Sequence, residues 1–305
     1  MVSLLTPSSP MIHSILKRRN IPLYAGLALG AVSAYYATRR SFVQIHSESP
    51  SAINPQSFTD LPIKETKFVS HNVKEITLEL PADNTLGGKV AYMVLFKHIG
   101  ENGKPIIRPY TPISEPNALG EAVFTVKAYP EGKMSPYLHS LKVGDKISVK
   151  GPIQKYNLEQ NQHKKIALLG GGTGITPLFQ ILEKVANDPN DKTNVQLFFA
   201  NNTPEDVILK KEIDALVAKK PEQLGVTYFV AKPDDSWKGE TGFITKEYLG
   251  SHLFKPTEEN VKVFVCGPPA FYKAISGDKV SPSDQGELVG ALKDLSFTKD
   301  HVFKF

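Results

Sequence analysis

The sequence predicts an all-β domain followed by an α/β domain with a parallel sheet. Between residues 58 and 160, short strand-like runs are separated by turns rich in Gly, Pro and Asn, and this spacing indicates an antiparallel barrel or sandwich. Between residues 161 and 305, apolar runs alternate with segments of helical periodicity, which indicates a parallel sheet flanked by helices. With 305 residues, the chain has room for both domains and for an additional N-terminal segment.

Composition and charge narrow the classes of function. The chain has 36 Lys and Arg against 31 Asp and Glu. Five of the basic residues precede the first acidic residue, Glu48: Lys17, Arg18, Arg19, Arg39 and Arg40. The rest of the chain then carries equal numbers of basic and acidic residues, 31 of each. This balance argues against a nucleic-acid partner, which requires a basic folded face. A single cysteine, Cys266, excludes an internal disulfide, and no Cys/His spacing fits zinc, an iron–sulfur cluster or haem.

The N-terminal segment has a composition of its own. Residues 1–20 are basic, contain Ser and Pro and lack acidic residues, which is more typical of a mitochondrial targeting segment than of a secretory signal. Residues 21–38 carry no charge before Arg39 and, as a helix, would span roughly 28 Å, about one hydrocarbon core. We therefore expect a transmembrane helix or signal anchor there, and the alternative is an amphipathic presequence lying on the bilayer. Residues 39–57 are polar and rich in Pro and Ser, which indicates a linker.

The predicted elements then follow in chain order. The strand-like runs of the β domain are Lys64–Leu80, Val90–Phe96, Ala122–Ala128 and Lys146–Lys150. The alternating elements of the α/β domain are Ile166–Leu169, Pro177–Ala186, Val195–Ala200, Pro204–Lys219, Val226–Val230 and Lys262–Val265.

The first motif of the β domain is Arg108-Pro-Tyr-Thr-Pro-Ile-Ser114. Alternation in an extended segment places Arg108, Tyr110 and Ser114 on one face. A guanidinium matches a phosphate with two hydrogen bonds, and a Tyr ring suits a flat cofactor. Thr111 offers one hydroxyl to a ring nitrogen. The alternative is a strand edge with ordinary surface polar groups.

The second motif is Tyr129-Pro-Glu-Gly-Lys-Met-Ser-Pro-Tyr-Leu-His139. Ser135 followed by Pro136 predicts a helix that begins there, with Ser135 as its N-cap. Gly132 and Lys133 precede this helix start, and together they indicate an anion site.

The third motif lies between an apolar strand and an apolar helix and reads Gly170-Gly-Gly-Thr-Gly-Ile-Thr-Pro177. Glycines allow a tight turn and the close approach of an anion, and Pro177 suits the first position of the following helix. A third glycine of the usual dinucleotide fingerprint is missing, and the next strand ends in Asn201 rather than an acidic residue, so an ordinary Rossmann site is excluded. A plain tight turn is the alternative.

The fourth motif, Cys266-Gly-Pro-Pro269, directly follows the apolar strand at 261–265. The carboxyl ends of strands are where open α/β sheets bind ligands. A free cysteine is otherwise often a small buried apolar residue.

The second and third motifs predict two anion sites, one in each domain. Two such sites would be redundant for one ligand, and they fit two dinucleotides that meet face to face.

Taken together, these four motifs resemble the ferredoxin-NADP reductase superfamily, and within it the NADH–cytochrome b5 reductases. The resemblance covers residues 58 to 305, and the basic N-terminus is similar to that of the fungal mitochondrial members. It implies an antiparallel β-barrel domain that binds FAD at 58–160 and an α/β domain that binds NAD at 161–305, preceded by an N-terminal membrane anchor. It also implies a single-pass monomer of the mitochondrial outer membrane, facing the cytosol or the intermembrane space, with a soluble intermembrane-space form if the chain is cut near Arg40.

The resemblance also implies roles for individual residues. Arg108 and Ser135 would hold the FAD pyrophosphate, Tyr110 and Thr111 would contact the flavin and ribityl, and Cys266 would help to place the nicotinamide. Thr111 and Cys266 are the implied catalytic residues. The remaining implied cofactor-binding residues are Pro109, Ser114, Lys127, Gly132, Lys133, Met134, Gly170, Gly172, Thr173, Gly174, Thr176, Pro177, Gly267, Pro268 and Phe305.

The implied reaction is hydride transfer from NADH to FAD, followed by two one-electron steps to cytochrome b5. The acceptor is acidic around its haem, and the candidates for a docking patch are Lys133, Lys155, Lys164 and Lys165. Other acceptors, such as iron, quinone or nitrate-reducing partners, stay open, as does a flavin-free binding or tethering module. One departure concerns the donor: Lys238 follows Trp237 where the family often has an acidic residue, so NADPH stays open as an alternative.

Overall fold

The computed structural model of the protein describes residues 49–305. Its first half is the predicted antiparallel sheet, with a short helix inserted before the last strand. The elements are β1 Thr59–Ser70, β2 Val73–Glu79, β3 Tyr92–Ile99, β4 Pro105–Tyr110, β5 Glu121–Lys127, α1 Ser135–Ser140 and β6 Lys146–Gln154. The strand order is β4-β3-β6-β1-β2-β5, and each neighbouring pair is antiparallel.

The sheet curls until its two edge strands meet. Phe96 of β3 stacks on Tyr110 of β4 and makes an edge contact with Phe124 of β5, with ring centroids 4.7 and 4.8 Å apart. Just after β4, the amide of Ile113 donates to the carbonyl of Val123 in β5 at 2.8 Å. These contacts close the sheet around one apolar interior, as expected for a barrel.

The second half is the predicted α/β domain. Its elements are β7 Lys165–Gly171, a 3₁₀ turn Gly172–Gly174, α2 Ile175–Asn187, β8 Asn194–Asn201, a 3₁₀ turn Pro204–Asp206, α3 Lys210–Lys219, β9 Leu224–Val230, β10 Glu240–Thr241, α4 Lys246–His252, β11 Val261–Cys266, α5 Pro269–Ile275, α6 Gly290–Asp294 and β12 Val302–Lys304. All neighbouring strand pairs are parallel.

The strand order of this sheet fixes where a ligand binds. From one edge to the other it runs β10-β9-β8-β7-β11-β12, so the direction of winding reverses between β7 and β11. In open α/β sheets the crevice at such a switch point, at the carboxyl ends of the strands, is the usual ligand site. The glycine-rich turn follows β7 and the Cys266 loop follows β11, so both motifs flank this crevice.

Two helices begin one or two residues away from the predicted positions. Met134 occupies the N-cap position of α1, and Ser135 is its first helical residue rather than its cap. Pro177 is the third residue of α2 rather than the first, because the helix begins at Ile175 directly after the 3₁₀ turn. Proline is tolerated there because the amides of the first turn have no partner within the helix.

The two domains share buried surface. Val73 and Ala91 belong to the β domain by sequence, yet both are fully buried in the apolar cluster of the α/β domain. At the other end of the β domain, the segment predicted as a linker is partly integrated into the fold: Ile53 lies in the barrel core, and the amide of Ala52 donates to the carbonyl of Thr85 at 2.8 Å.

The predicted targeting segment (1–20) and anchor (21–38) lie outside the described residues. Within residues 49–305, none of the helices combines the length and the apolar character needed to cross a membrane.

Candidate functional site

The crevice at the switch point is formed by two loops that lie in direct contact. Cys266 is in register with Gly170 on the neighbouring strand. A Cβ added to Gly174 would lie 2.3 Å from the carbonyl oxygen of Cys266 and 2.7 Å from the amide nitrogen of Gly267. Only glycine therefore fits at position 174, since real Cβ atoms do not approach main-chain atoms so closely.

Gly172 shows the opposite environment. Its φ is +53°, a left-handed conformation that favours glycine, and a Cβ there would meet nothing within 4 Å. The backbone at this residue therefore faces open space. Beyond it, α2 begins directly after the turn, and the positive end of its dipole favours phosphate, although the Ile175 amide already donates to the carbonyls of Gly172 and Thr173 and Pro177 has no N–H.

The C-terminus packs against the Cys266 side of the crevice. The amide of Phe305 donates to the carbonyl of Val265 at 3.0 Å. The Tyr272 hydroxyl donates to the carbonyl of Phe305 at 2.8 Å. The Phe305 ring lies against Phe264, with centroids 5.9 Å apart. Phe305 is thereby held next to Cys266, as the prediction for both residues requires.

The chemistry of Cys266 is set by its surroundings. Burial raises the pKa of the Cys266 thiol to about 11, although the Tyr272 hydroxyl and the Lys279 ammonium act in the opposite direction. A raised pKa keeps the thiol protonated at neutral pH. Cys266 therefore presents a small, neutral S–H group to the crevice rather than a nucleophilic thiolate.

On the barrel side, the Arg108 motif lies at the end of edge strand β4. The Arg108 guanidinium is exposed, and one of its N–H groups donates to the carbonyl of Ile107 at 2.8 Å. Its other N–H donors are free of partners within residues 49–305. Tyr110 is held by stacking on Phe96, and burial raises the pKa of Tyr110 to about 12, against the effect of Arg108. Among the described residues, the Thr111 hydroxyl has no hydrogen-bond partner and is available to a ligand.

Ser114, at the end of the same motif, makes a structural hydrogen bond within the barrel. Its hydroxyl oxygen accepts a hydrogen bond from the amide of Val123 at 3.1 Å. This bond belongs to the closure of the barrel, so the protein itself uses one of the acceptor sites of Ser114.

The loop before α1 forms the second wall of the barrel side. The Ser135 hydroxyl accepts from the amide of Tyr129 at 3.0 Å and donates to its carbonyl at 3.3 Å, which folds residues 129–135 into a compact loop. A Cβ on Gly132 would lie 2.8 Å from this hydroxyl oxygen. Lys133 is exposed and Met134 is buried beneath the loop.

The two halves of the site touch at this loop and at an ion pair nearby. The hydroxyls of Tyr129 and Thr173 lie 3.2 Å apart across the crevice. The Lys127 ammonium lies 2.6 Å from an Asp206 oxygen, and both side chains are largely buried. Burial opposes ionisation of Asp206, but the Lys127 ammonium and hydrogen bonds from Asn72 and the main chain outweigh it and lower the pKa of Asp206.

The predicted docking lysines have unequal surroundings. Lys164 pairs with Glu259 at 2.5 Å, and Lys165 pairs with Glu258. Lys155 donates to the carbonyl of Pro282 at 2.8 Å. Lys133 forms no ion pair or hydrogen bond with the described residues. Neighbouring carboxylates thus neutralise two of the four candidates.

The structure therefore brings the predicted site residues into two facing sets. The barrel set comprises Arg108, Pro109, Tyr110, Thr111, Lys127, Gly132, Lys133, Met134 and Ser135. The α/β set comprises Gly170, Gly172, Thr173, Gly174, Thr176, Pro177, Cys266, Gly267, Pro268 and Phe305.

Three residues at the crevice were not predicted: Gln180, Asp206 and Tyr272. Gln180 gave a readable signal, because it is a polar residue inside an apolar run of helical spacing. Asp206 gave none, since its partner Lys127 is 79 residues away in the sequence. Tyr272 gave none, since its bond to the carbonyl of Phe305 joins residues 33 apart.

The geometry fits two nucleotides. Phosphate binding requires hydrogen-bond donors or positive charge, and these are offered by the free N–H groups of Arg108 on the barrel and by the positive end of the α2 dipole on the sheet. A flat ring requires apolar walls and a few polar groups, which Tyr110, Thr111 and Cys266 offer. The open space at Gly172 gives the second nucleotide close access to the backbone.

Comparisons with known proteins agree with this geometry. Residues 60–158 match the family described as oxidoreductase FAD-binding domain, and residues 168–277 match the oxidoreductase NAD-binding domain. The chain is 48% identical over 285 residues to NADH-cytochrome b5 reductase 2 of Yarrowia lipolytica, covering 93% of this chain and 98% of that protein. It is 47% identical over 284 residues to the protein of the same name from Lodderomyces elongisporus, covering 92% and 94%.

A solved structure shows the same fold. The cytochrome b5 reductase domain of Ulva prolifera nitrate reductase superposes with a TM-score of 0.73 at 27% identity, covering 84% of this chain and 99% of that one.

Replacing Gly174 with Ala tests the contact between the two loops. The added Cβ must displace the main chain at Cys266, so we expect the affinity for NAD⁺ to fall at least tenfold, about 1.4 kcal/mol, while FAD is retained. Gly225→Ala is the matched control, because a Cβ at Gly225 meets nothing within 4 Å and the site lies in β9. Calorimetric titration of both variants with NAD⁺ measures the difference. Equal affinities for the two would contradict the steric argument.

Alkylation of Cys266 tests its protonation state. Because the thiolate is the reactive form, a pKa of about 11 leaves roughly one thiol in a thousand ionised at pH 8. The rate of iodoacetamide modification, followed by mass spectrometry, should rise about tenfold per pH unit up to about pH 10. The same chain unfolded in urea is the control, and its rate should level off near the ordinary thiol pKa. If the modification rate of the folded protein also levels off near the ordinary thiol pKa, burial does not raise the pKa of Cys266.

Proposed function

The chain belongs to the NADH-cytochrome b5 reductase family, and from this premise we propose that it passes electrons from NADH through bound FAD to cytochrome b5. The observation that carries the proposal is the contact of two nucleotide-binding half-sites across one crevice, with Tyr129 and Thr173 at hydrogen-bonding distance. When bound, FAD supplies the chemistry of accepting a hydride and releasing its electrons singly.

The residues of the barrel would bind and orient FAD. The free donors of Arg108 suit the pyrophosphate, because a guanidinium binds it with two parallel hydrogen bonds. Ser135 and Gly132 keep the 129–135 loop compact next to that position, with Lys133 at its edge. Tyr110 offers its ring to the flavin and ribityl, and the Thr111 hydroxyl offers a hydrogen bond to the flavin nitrogen that receives the hydride.

The residues of the sheet would place the nicotinamide. The open space at Gly172 leaves room for it, and the Cys266 loop and Phe305 would bound it on the other side. A neutral thiol at Cys266 is compatible with the positive charge that the nicotinamide ring gains, because it neither reacts with that ring nor brings a competing cation.

Docking of cytochrome b5 is proposed to use Lys133 as its main contact. The folded part of the chain has no excess charge, so an acidic acceptor must be attracted by a local patch. Lys133 is exposed and uncompensated, and Lys155 lies half-buried on the segment after β6. Lys164 and Lys165 contribute less in this proposal, because Glu259 and Glu258 neutralise them.

We further propose that the protein works as a monomer attached to the mitochondrial outer membrane through residues 21–38. The sequence of residues 1–40 supports this, since a basic, acid-free segment precedes an uncharged one of spanning length. Release of a soluble form by cleavage near Arg40 is part of the same proposal.

The donor is proposed to be NADH, with NADPH as the alternative. Lys238 and Lys232 are both exposed near the carboxyl end of β9, and neither would repel a 2′-phosphate. The ratio of kcat/KM for the two donors decides between them, and a preference for NADH beyond about a thousandfold would remove NADPH from consideration. Rates measured with iron, a quinone or cytochrome b5 as the acceptor separate the alternative acceptors.

The purified protein should retain FAD and, with NADH, reduce cytochrome b5. Thr111→Val should slow flavin reduction about tenfold or more while FAD stays bound, because one hydrogen bond to the reacting nitrogen is lost. Thr111→Ser, which keeps the hydroxyl, is the control and should stay near the wild-type rate. Stopped-flow absorbance of the flavin measures both. A chain that binds no FAD would refute the proposed function itself.

The docking patch predicts a dependence on salt. Lys133→Glu should lower kcat/KM for cytochrome b5 several-fold at low ionic strength, and the difference should shrink as salt screens the charge. Lys164→Glu is the matched control, with a smaller expected effect because Lys164 is already paired. A rate that is independent of salt in the wild type, or equal effects of the two variants, would contradict this docking surface.

A further inference from the structure

One buried side chain connects the two halves of the site. Gln180, in the middle of α2, is 2% exposed. Its Oε1 accepts from the amides of Ala91 and Tyr92 at 3.0 and 3.2 Å, and its Nε2 donates to the carbonyl of Pro112 at 2.9 Å. All three partners are main-chain groups of the barrel domain, whereas α2 belongs to the α/β domain.

The two barrel segments that Gln180 binds are close to the proposed chemistry. Pro112 directly follows Thr111, so the bond to its carbonyl fixes the backbone next to the Thr111 hydroxyl. Ala91 has a φ of +65°, a left-handed conformation that a non-glycine residue rarely adopts, and its carbonyl accepts from the amides of Lys155 and Tyr156. That carbonyl joins the start of β3 to the connection between the domains.

On the α/β side, Gln180 is also close to the site. α2 begins directly after the Gly172–Gly174 turn, and because a helix is rigid, Gln180 keeps a fixed position relative to that turn. The Gln180 carboxamide is thus one rigid group between the turn that faces one nucleotide and the strand end that faces the other. A change of about 1 Å in the geometry of reacting groups costs on the order of a hundredfold in rate.

We propose that Gln180 is a positioning residue for hydride transfer, setting the distance between Thr111 and the Gly172–Gly174 turn through its three bonds to the barrel backbone. This inference rests on the proposed function. It does not assign Gln180 a contact with either nucleotide.

Other contacts between the domains do not duplicate this one. Lys127 and Asp206 join β5 to the turn before α3, and Tyr129 and Thr173 meet through flexible hydroxyls. Asn187, at the last turn of α2, bonds Glu115 at 3.2 Å on the exposed surface. Within the part of the chain that the structure describes, Gln180 is the side chain that binds both the start of β3 and the backbone directly after Thr111.

Gln180→Glu tests the positioning role, because it should make the rate of hydride transfer fall as the pH rises. A neutral carboxylic acid has a carbonyl oxygen that accepts and one O–H that donates, and these suffice for the three bonds that the amide of Gln180 makes. An ionised carboxylate still accepts from Ala91 and Tyr92 but faces the carbonyl of Pro112 with no proton to donate. Because burial raises the pKa of a carboxyl group, a Glu at this 2% exposed position should be largely neutral at about pH 5.5 and largely ionised at about pH 8.5, whereas an exposed Glu would be ionised at both. The full-length holoenzyme carrying this change should therefore transfer hydride at least tenfold more slowly than wild type at about pH 8.5, and within about threefold of wild type at about pH 5.5.

Wild type measured at each pH removes the contribution of other groups. Glu183 lies one turn further along α2, where burial and Glu115 raise its pKa to about 7 and Lys219 opposes them. Tyr92 stays neutral throughout, because burial raises its pKa above the working range. Both groups are present in both proteins, so the ratio of variant to wild-type rate reports position 180.

The measurement is the single-turnover rate of flavin reduction at saturating NADH, with FAD content and melting temperature recorded for each protein. Asn187→Ala is the matched control, since it removes an exposed contact between the same helix and the barrel, and it should stay within twofold of wild type. Gln180→Asn is the second variant: it keeps the amide but withdraws it by one carbon, and it should slow hydride transfer without loss of FAD.

The outcomes separate the two proposals. If wild type is reduced normally and both Gln180 variants transfer hydride at the wild-type rate at every pH, the positioning role is wrong. A lower melting temperature with unchanged hydride transfer would show that Gln180 contributes stability alone and would also overturn it. If wild type holds FAD but NADH does not reduce it, the proposed function fails whatever the variants do.

Discussion

The close approach of Gly174 to the main chain of Cys266 is the constraint on which the sheet side of the site depends. A Cβ at that position would overlap the Cys266 carbonyl at 2.3 Å, so the turn after β7 and the loop after β11 can touch only through glycine. Because the strand order reverses between β7 and β11, this contact lies where the sheet opens a crevice. The start of α2 and the loop that carries Cys266 therefore meet at this contact.

The crevice becomes a two-sided site because contacts of three different chemistries are among those that hold the barrel against the sheet. Gln180 supplies neutral hydrogen bonds to the backbone, Lys127 and Asp206 supply a buried ion pair, and Tyr129 and Thr173 supply a hydroxyl contact at the solvent edge. The buried ion pair is costly to form but more costly to break, since removing one partner leaves a charge in a dry environment. Alignment of the two half-sites therefore depends most on the buried contacts and least on the exposed one.

The sequence predicted the parts of the fold that local pattern controls. Alternating apolar runs predicted the antiparallel sheet, strand–helix alternation predicted the parallel sheet, and the glycines at 172 and 174 marked the turn that the structure places at the switch point. The interdomain contacts could not be predicted, because their partners are distant: Gln180 and Tyr92 are 88 residues apart, and Lys127 and Asp206 are 79 apart. The N-cap of α1 was misplaced by one residue, since Met134 rather than Ser135 holds that position and Ser135 instead binds the backbone of Tyr129.

A buried charge holds the last residues of the sequence in place beside Cys266. Lys304 is 2% exposed, and its ammonium donates to the carbonyls of Ser276, Gly277, Asp278 and Glu287 at 3.0 to 3.3 Å. A buried cation without hydrogen bonds would be strongly unfavourable, so these carbonyls are what makes its burial tolerable. They all come from the loop that follows α5. The loop and the last strand thus stabilise each other, and Phe305, one residue further on, is fixed against the crevice by the burial of a charge rather than by its own apolar contacts alone.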